Sequence, residues 1–454
     1  PNESKGMDPC QRILLEVAYE GLWNAGMRKK DIFNSLGAVY VACTTSEWGY
    51  TERTAEVAQA TGSGATMCIY SNRINYCLGL KGPSVSIDQE GASALTAVHL
   101  ARVALEDRWT NGEKKNGAVC SHGMGLSSYL ILSNRCRSME TSAGYLTPLG
   151  RCLTFDASAQ GVARGEGLGG CMIKPYTKML DGEPVVLDPD SPPVGVLAST
   201  GTNNSGMATD LRAPHGPAIQ EIMCDALQEA MISPLDVDAA EIHGEGRPLS
   251  DVVDMGTALL ALRQSHGGEL TSMPELVLGS VKSNVGHAKE TSGMFSLIKA
   301  ILNSQYGMTT PNCHFKTINP HLDTKGMEDL ALISGELIGQ VGTGCSFTSV
   351  VTHGYGGSNS QALVWNTTSG FQKETKSSVP LDREVVFWPG GGGELEDEAT
   401  DCQAYHIVGS WTKWEDPEEM EPEGEGTFGF TVTLGENNFE QFQILLDGDS
   451  QRVL

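Results

Sequence analysis

No stretch of the chain approaches the roughly 18 apolar residues that a membrane span needs, so no transmembrane helix is expected. No charged-then-apolar signal segment opens it; the chain starts in mid-motif, which leaves room for an upstream transit or signal sequence. Basic residues are few: 31 Lys and Arg stand against 56 Asp and Glu, a net charge of −25. Phosphate backbones need a basic face, so direct nucleic-acid binding is disfavoured. The excess is uneven, with 18 acidic and 3 basic residues in 381–454, a net of −15, against −10 for residues 1–380. That acidic tail reads as solvated surface, with a docking surface for a basic partner as the sharper alternative. Among the 12 cysteines no CxxC pair occurs, and no Cys/His cluster has zinc spacing. No metal site is therefore expected. The thiols read as small buried apolar residues of an intracellular reducing compartment, and no residue separates cytoplasm from plastid.

What is present suits an α/β protein. A length of 454 residues with 40% hydrophobic content and 54 glycines accommodates one large domain and a small one, or two to three ordinary domains. Asp8 can cap a first helix, Pro9 fits its first turn and Gly26 can end it. Leu14, Val17, Ala18, Leu22 and Ala25 form its buried stripe. Short apolar strands are predicted at 38–42, 82–87, 194–199 and 276–281, and helices at 94–105, 217–231, 252–265 and 292–303. Alternating strands and helices imply parallel sheets covered on both faces. Residues 367–381 are polar and read as a linker. Beyond it, Phe428, Phe430, Val432 and Leu434 alternate, as do Phe442, Ile444 and Leu446, with Asn437-Asn438 between them. This pattern predicts a hairpin in a small β unit.

The most informative turn is Ser86-Ile87-Asp88-Gln89-Glu90-Gly91-Ala92-Ser93-Ala94-Leu95, a strand running into a helix. A side chain at the head of that helix feels unpaired backbone N–H groups and the positive dipole end, and a cysteine there would be driven toward thiolate. Gly91 has no side chain, so no covalent intermediate can form on it.

The frame around this turn resembles the β-ketoacyl synthase (ketosynthase) domains of polyketide and fatty-acid synthases. In that family the turn reads roughly Asp-Thr-Ala-Cys-Ser-Ser-Ser-Leu; Asp88, Ser93 and Leu95 keep the register, and the cysteine falls on Gly91. The likeness extends in order through Met7-Asp8-Pro9-Cys10-Gln11-Arg12, Ser71-Asn72-Arg73-Ile74-Asn75-Tyr76, Gly150-Arg151-Cys152-Leu153-Thr154-Phe155-Asp156 and Arg164-Gly165-Glu166-Gly167. It continues through His243-Gly244-Glu245-Gly246-Arg247-Pro248-Leu249, Gly279-Ser280-Val281-Lys282-Ser283-Asn284-Val285-Gly286-His287 and Gly354-Tyr355-Gly356-Gly357-Ser358-Asn359. The resemblance implies a five-layer α-β-α-β-α thiolase-like fold of two similar halves, 1–185 and 186–366. A linker at 367–381 and an acidic β-rich module at 382–454 follow. The family's first strand region has no counterpart in this sequence. Around Tyr405 to Trp414 the chain is loosely similar to starch-binding β-sandwich modules, whose paired tryptophans stack on sugars. The competing reading has Trp411 and Trp414 packing the module's own core or an interface.

The resemblance also implies the chemistry. A thiolate accepts the acyl chain, two histidines stabilise the enolate and tetrahedral oxyanions, and a lysine orders the second histidine. His243, His287 and Lys282 match those last three positions, and a neutral imidazole suits such a task because it donates to a developing oxyanion. Glu245 and Arg247 replace two threonines that bind pantetheine. They either pair and block that passage or both face solvent. His353 takes the place of a gating phenylalanine and Lys289 that of a glutamate, while Ser358 and Asn359 keep the late glycine-rich loop. Ser93 reads as a helix cap. Glu90 would put a negative charge where an enolate must form, which opposes catalysis.

Three readings follow. The first is a catalytically silent ketosynthase-like subunit, pairing with itself or with another thiolase-fold chain, its acidic module a contact surface within a larger assembly. The second is a malonyl-thioester decarboxylase working through His243 and His287. The third is a module holding an acyl chain, lipid or pigment. None needs a cofactor beyond a phosphopantetheine-borne acyl group.

Overall fold

The computed structural model describes residues 2–51, 63–106, 109–110, 113–114, 120–180, 183–187, 193–263, 274–322, 330–339, 344–368, 385–388, 391–394, 404–424, 427–434 and 440–449. The chain forms two units, Pro1–Gln372 and Lys373–Leu454. The principal strands of the first are β1 (Gly37–Ala42), β2 (Ser84–Ile87), β3 (His122–Tyr129), β4 (Gly167–Ile173), β5 (Val196–Asn204), β6 (Val237–Glu241), β7 (Leu276–Gly279), β8 (Ala331–Ile333), β9 (Cys345–His353) and β10 (Ser358–Thr367). Its principal helices are α1 (Pro9–Asn24), α2 (Met67–Leu78), α3 (Ser93–Val103), α4 (Asn134–Ser142), α5 (Gly216–Ala230), α6 (Ser250–Leu262) and α7 (Ser292–Tyr306).

Local chemistry sets the element ends. The Asp8 carboxylate accepts the Cys10 N–H at 2.7 Å, Pro9 opens α1, and Gly26 follows its last turn at φ +73°. Gly307 does the same for α7 at φ +61°. Every residue of β1 and of β3 is buried, as expected of strands covered on both faces.

The first sheet has strand order β2-β1-β3-β4, and the second β8-β7-β6-β9-β10-β5. In the first, β1 runs parallel to β2 and β3, and β4 is antiparallel to β3. In the second, β6 runs parallel to β7 and β9, and β10 is antiparallel to β9. The four strands β2-β1-β3-β4 therefore recur as β7-β6-β9-β10, which is the two-half architecture. β5 pairs antiparallel with β10 at the edge of the second sheet; among the described residues no strand takes the matching place beside β4.

Three apolar layers hold this stack. One lies between β1 and β3 and the outer helices α1 and α2, with Leu14, Leu22, Val39, Ile74 and Met124. A second, with Ile219, Met223, Leu259, Leu262 and Leu278, lies between the second sheet and α5 and α6. The central one joins both sheets to the buried helices α3 and α7 through Ala94, Leu95, Val98, Met294, Leu297, Val350 and Val364. Packing is tight there: a Cβ on Gly293 would stand 3.1 Å from Leu95. The result is five layers, α-β-α-β-α.

The second unit corrects the predicted hairpin. Its strand β12 (Phe442–Leu446) pairs antiparallel with β11 (Tyr405–Gly409), not with 428–434. Only Thr427–Gly429 is strand in that segment, and it pairs with Glu421–Gly424. The alternating aromatics are taken up elsewhere: Phe428 packs on Tyr405 with ring centroids 4.5 Å apart, and Phe430 stacks on Trp411 at 6.1 Å. The Trp411 indole donates to Glu418 at 2.9 Å, so it packs within its own unit, while Trp414 is 45% exposed. The proposed turn at Asn437-Asn438 lies outside the described residues, as does most of the predicted linker.

Candidate active site

The carboxyl ends of parallel strands from both sheets converge, the usual place for a site in α/β proteins. The turn after β2 carries Glu90 and Gly91, the loop after β6 carries His243, Glu245 and Arg247, the loop after β7 carries Lys282 and His287, and β9 ends on His353.

Each segment is fixed by buried polar contacts. On the β6 loop, Asp251 at the head of α6 accepts the N–H groups of Glu245 (3.0 Å), Gly246 (3.1 Å) and Arg247 (3.4 Å) through one oxygen and that of Phe155 (3.1 Å) through the other. Asp254, one turn on, accepts the Gly244 N–H at 3.1 Å. The tight path needs φ +27° at Gly244 and +84° at Gly246, conformations that glycine adopts without strain. Lys282, fully buried, donates its ammonium to the His243 main-chain oxygen at 2.6 Å. This corrects the expectation that it orders the second histidine. His287 is instead held by Arg164, whose Nη1 lies 3.2 Å from His287 Nδ1, and by its own main-chain bond to Ala163 at 2.8 Å. Arg164 is buried and paired with Glu140 at 3.0 Å, and Lys289 joins that carboxylate at 2.6 Å.

The two imidazoles meet edge to face with centroids 5.4 Å apart. Both are buried, and burial together with neighbouring cations drives both well below the usual histidine range. His353 stacks on His243 at 3.8 Å and places Nε2 2.9 Å from Asp254. Burial alone would lower its pKa, but the Asp254 carboxylate outweighs this and raises it. His353 thus backs the first histidine rather than standing free as a gate.

Of the two dispositions open for Glu245 and Arg247, the structure shows the pair, at 3.3 Å. Glu245 is only 3% exposed. Its Oε2 lies 3.7 Å from His243 Nε2 and 3.5 Å from His287 Nε2, a contact that sequence spacing did not suggest. Burial opposes its charge, but His287, His353 and Arg247 hold its pKa below the usual carboxylate value. Glu90, at φ +51°, brings a second carboxyl oxygen to 3.6 Å from His287 Nε2, its pKa raised by burial.

Ser93 does not cap α3. Its hydroxyl accepts the Gln89 N–H at 2.7 Å and ties the turn shut from behind, and the Gln89 side chain is held by Thr96 at 2.6 Å. Asn359 donates to Asn203 (3.0 Å) and Ser205 (3.2 Å), and the Ser358 main-chain oxygen accepts from Gly354 (2.8 Å). Those two residues shape the β9–β10 turn beside the histidines. Arg164, Glu140, Asp251 and Asp254 were given no role from sequence. Only the two aspartates carry a signal there, being three apart at a helix head and so on one face.

One ligand atom from each of His243, Glu245 and His287 lies within 4.8 Å of the other two, a spacing that admits a cation. The donors facing the rings argue against that use. The Lys289 N–H points at His287 Nδ1 (3.0 Å) and the His353 N–H at His243 Nδ1 (3.3 Å), so each Nδ1 is an acceptor and the neutral ring carries its proton on Nε2. A metal-binding imidazole has the reverse arrangement, donating outward from its second nitrogen.

With this geometry in view, the comparisons with known proteins are consistent. Residues 1–179 match the family model "Beta-ketoacyl synthase, N-terminal domain" and residues 194–316 match "Beta-ketoacyl synthase, C-terminal domain". One component of the phenolphthiocerol/phthiocerol polyketide synthase of Mycobacterium tuberculosis is 35% identical over 329 residues, which is 71% of this chain and 16% of that protein. The highly reducing polyketide synthase tstA of Talaromyces stipitatus is 32% identical over 371 residues, 80% of this chain and 13% of the relative. The chain thus spans a small fraction of these relatives' length. Among solved structures, the ketosynthase from module 6 of the bacillaene synthase of Bacillus subtilis 168 superposes with TM-score 0.68 at 25% identity, covering 81% of this chain and 61% of that one. The oxazolomycin ketosynthase domain OzmH KS7 of Streptomyces albus JA3453 gives TM-score 0.69 at 25% identity, with 80% and 60% covered. The paired sheets, the central helices and the two histidine loops are accounted for together: this chain belongs to the β-ketoacyl synthase family, as a ketosynthase domain of the thiolase superfamily.

Proposed function

We propose that this domain does not condense acyl groups and serves as a structural or interaction subunit of a larger polyketide-synthase-like assembly. One observation carries the reading. At Gly91, the position the family resemblance gives to the nucleophile, there is neither a side chain nor space for one. A Cβ there would overlap the His353 carbonyl oxygen and stand 2.7 Å from His243 Cε1. The relatives' names, polyketide synthase subunits, support the assembly part of the proposal. Pairing with a second thiolase-fold chain and contacts through the acidic module belong to the same reading.

The test is acyl loading. The protein, incubated with acyl-coenzyme A and acyl-carrier-protein thioesters, is expected to show no added acyl mass. An acyl group trapped on the chain would overturn the reading. Decarboxylation through the two histidines is the weaker alternative, because Glu90 and Glu245 present carboxylates where a malonyl carboxylate or its enolate would have to sit. Carbon dioxide released from malonyl carrier protein by the wild type, and abolished in His287→Ala, would instead establish it.

A further inference from the structure

The histidine pair remains a built recognition element even without a nucleophile. A neutral imidazole has one N–H, and in both rings it is on Nε2, because both Nδ1 atoms accept main-chain N–H groups, at 3.3 Å for His243 and 3.0 Å for His287. Arg164 Nη1, also a donor, reinforces this at His287. Two buried N–H groups therefore point into one space from different loops.

A single oxygen, Oε2 of Glu245, sits between them at 3.7 and 3.5 Å. These separations exceed a hydrogen bond, so the attraction is electrostatic, in a buried setting where charge is weakly screened. The other oxygen of the same carboxylate faces Arg247 at 3.3 Å, which holds it in place. Glu90 Oε1 approaches only the second of the two rings, at 3.6 Å from His287 Nε2, and is itself paired with Arg164 at 3.8 Å.

We propose that the two Nε2–H groups form a carboxylate-binding site that the chain fills with its own Glu245. The domain thereby carries an internal ligand where an external carboxylate or thioester oxygen would otherwise be received. This rests on the non-condensing reading but extends it. An inert site needs only the missing side chain at Gly91, whereas an occupied one also refuses ligands. Shortening Glu245 should expose a pocket selective for small carboxylates, with the histidine tautomers already set to receive them.

The experiment uses the full chain and two measurements. In the wild type, long-range 1H–15N spectra should show His243 and His287 as Nε2–H tautomers, unchanged by added acetate. In Glu245→Gly, acetate should bind saturably and at least about tenfold more tightly than to the wild type, as expected for charge-assisted hydrogen bonds. Acetate should move both Nε2 resonances together, and chloride at equal ionic strength should not. A folded Glu245→Gly protein that ignores acetate and formate overturns the proposal. So does an Nδ1–H tautomer at either ring, which needs no variant, or loss of the Nε2 protons when zinc chloride is added to the wild type, which would make the cluster a metal site. Acyl loading would sink the non-condensing reading while leaving these tautomers unmoved, so the two failures are distinguishable.

Discussion

Gly91 and His353 are packed so that the main-chain oxygen of the second fills the side-chain position of the first. The end of β9 has closed onto the turn after β2. On the same line of contact, a Cβ on Gly354 would overlap the Gln89 carbonyl oxygen. Backbone cannot yield as a flexible side chain does, so overpacking here carries a cost. Gly91→Ala is expected to lower stability by about 1–3 kcal/mol, the usual range for forced core insertions, and Gly91→Cys by at least as much. Urea denaturation measures both. A Gly91→Ala protein as stable as the wild type would show that the seat is open.

A second prediction concerns Arg263, only 1% exposed at the end of α6. Its guanidinium donates to the carbonyl oxygens of Pro274 (2.8 Å), Pro234 (3.0 Å), Leu262 (2.9 Å), Val237 (2.7 Å) and Glu275 (3.4 Å). It thus ties α6 to the entries of β6 and β7, which launch the two histidine loops. Arg263→Leu orphans the buried carbonyls of Leu262 and Val237, at about 1–3 kcal/mol each, while water can reach the more exposed ones, so a loss of at least about 2 kcal/mol is expected. Arg263→Lys should recover little of it, because an ammonium lacks the planar fork of donors. Full rescue by lysine would reduce the arrangement to a point charge.

The residues that could be read from sequence are those whose signals are local. The cap, first-turn proline and terminal glycine of α1 lie within 20 residues of one another, and the helix forms where they place it. The apolar runs at β1 and β2 likewise needed no partner to be recognised. The repeat of β2-β1-β3-β4 as β7-β6-β9-β10 left no visible trace, because topology is set by pairings far apart in the chain and tolerates different side chains. The same holds at the site. His243, His287 and Glu245 were named individually, but their convergence depends on positive φ at Gly244 and Gly246 and on Asp251, none of which a spacing rule supplies. Arg164 reaches His287 across 123 residues. The aromatic alternation at 428–434 misled for the opposite reason: period two marks a strand but not its partner or its length, and here only Thr427–Gly429 pairs, with Glu421–Gly424, while Phe428 and Phe430 pack on Tyr405 and Trp411.

The Asp251 clamp provides a third prediction. Four main-chain N–H groups point at its two carboxylate oxygens. An amide would turn one of those acceptors into a donor facing N–H groups. Asp251→Asn should therefore cost about 1–3 kcal/mol and free the His243 loop, seen as broadened or shifted His243 ring resonances. An Asn variant with unchanged stability and an unchanged ring would show that Lys282 and Asp254 hold the loop without the Asp251 clamp.

The last prediction is a pH dependence with a defined sign. Glu290, 2% exposed at the head of α7, has one carboxyl oxygen without a hydrogen bond among the described residues. Burial, with nearby Asp88, raises its pKa from 4.5 to about 8. Between those values the folded chain keeps a proton that the unfolded chain releases, so the folded state binds more protons and stability falls as pH rises. The fall begins near the unfolded value of 4.5 and is complete above about 8. Its slope from this group is at most about 1.4 kcal/mol per pH unit. Glu290→Gln keeps the shape of the protonated acid and cannot ionise, so its stability should exceed that of the wild type by an amount that grows from pH 5 to 8. Parallel urea titrations of the two proteins across that interval isolate the effect from every other titrating group. Curves that stay parallel would mean that Glu290 is ionised in the fold, and that a neighbouring cation such as Lys289 compensates its charge.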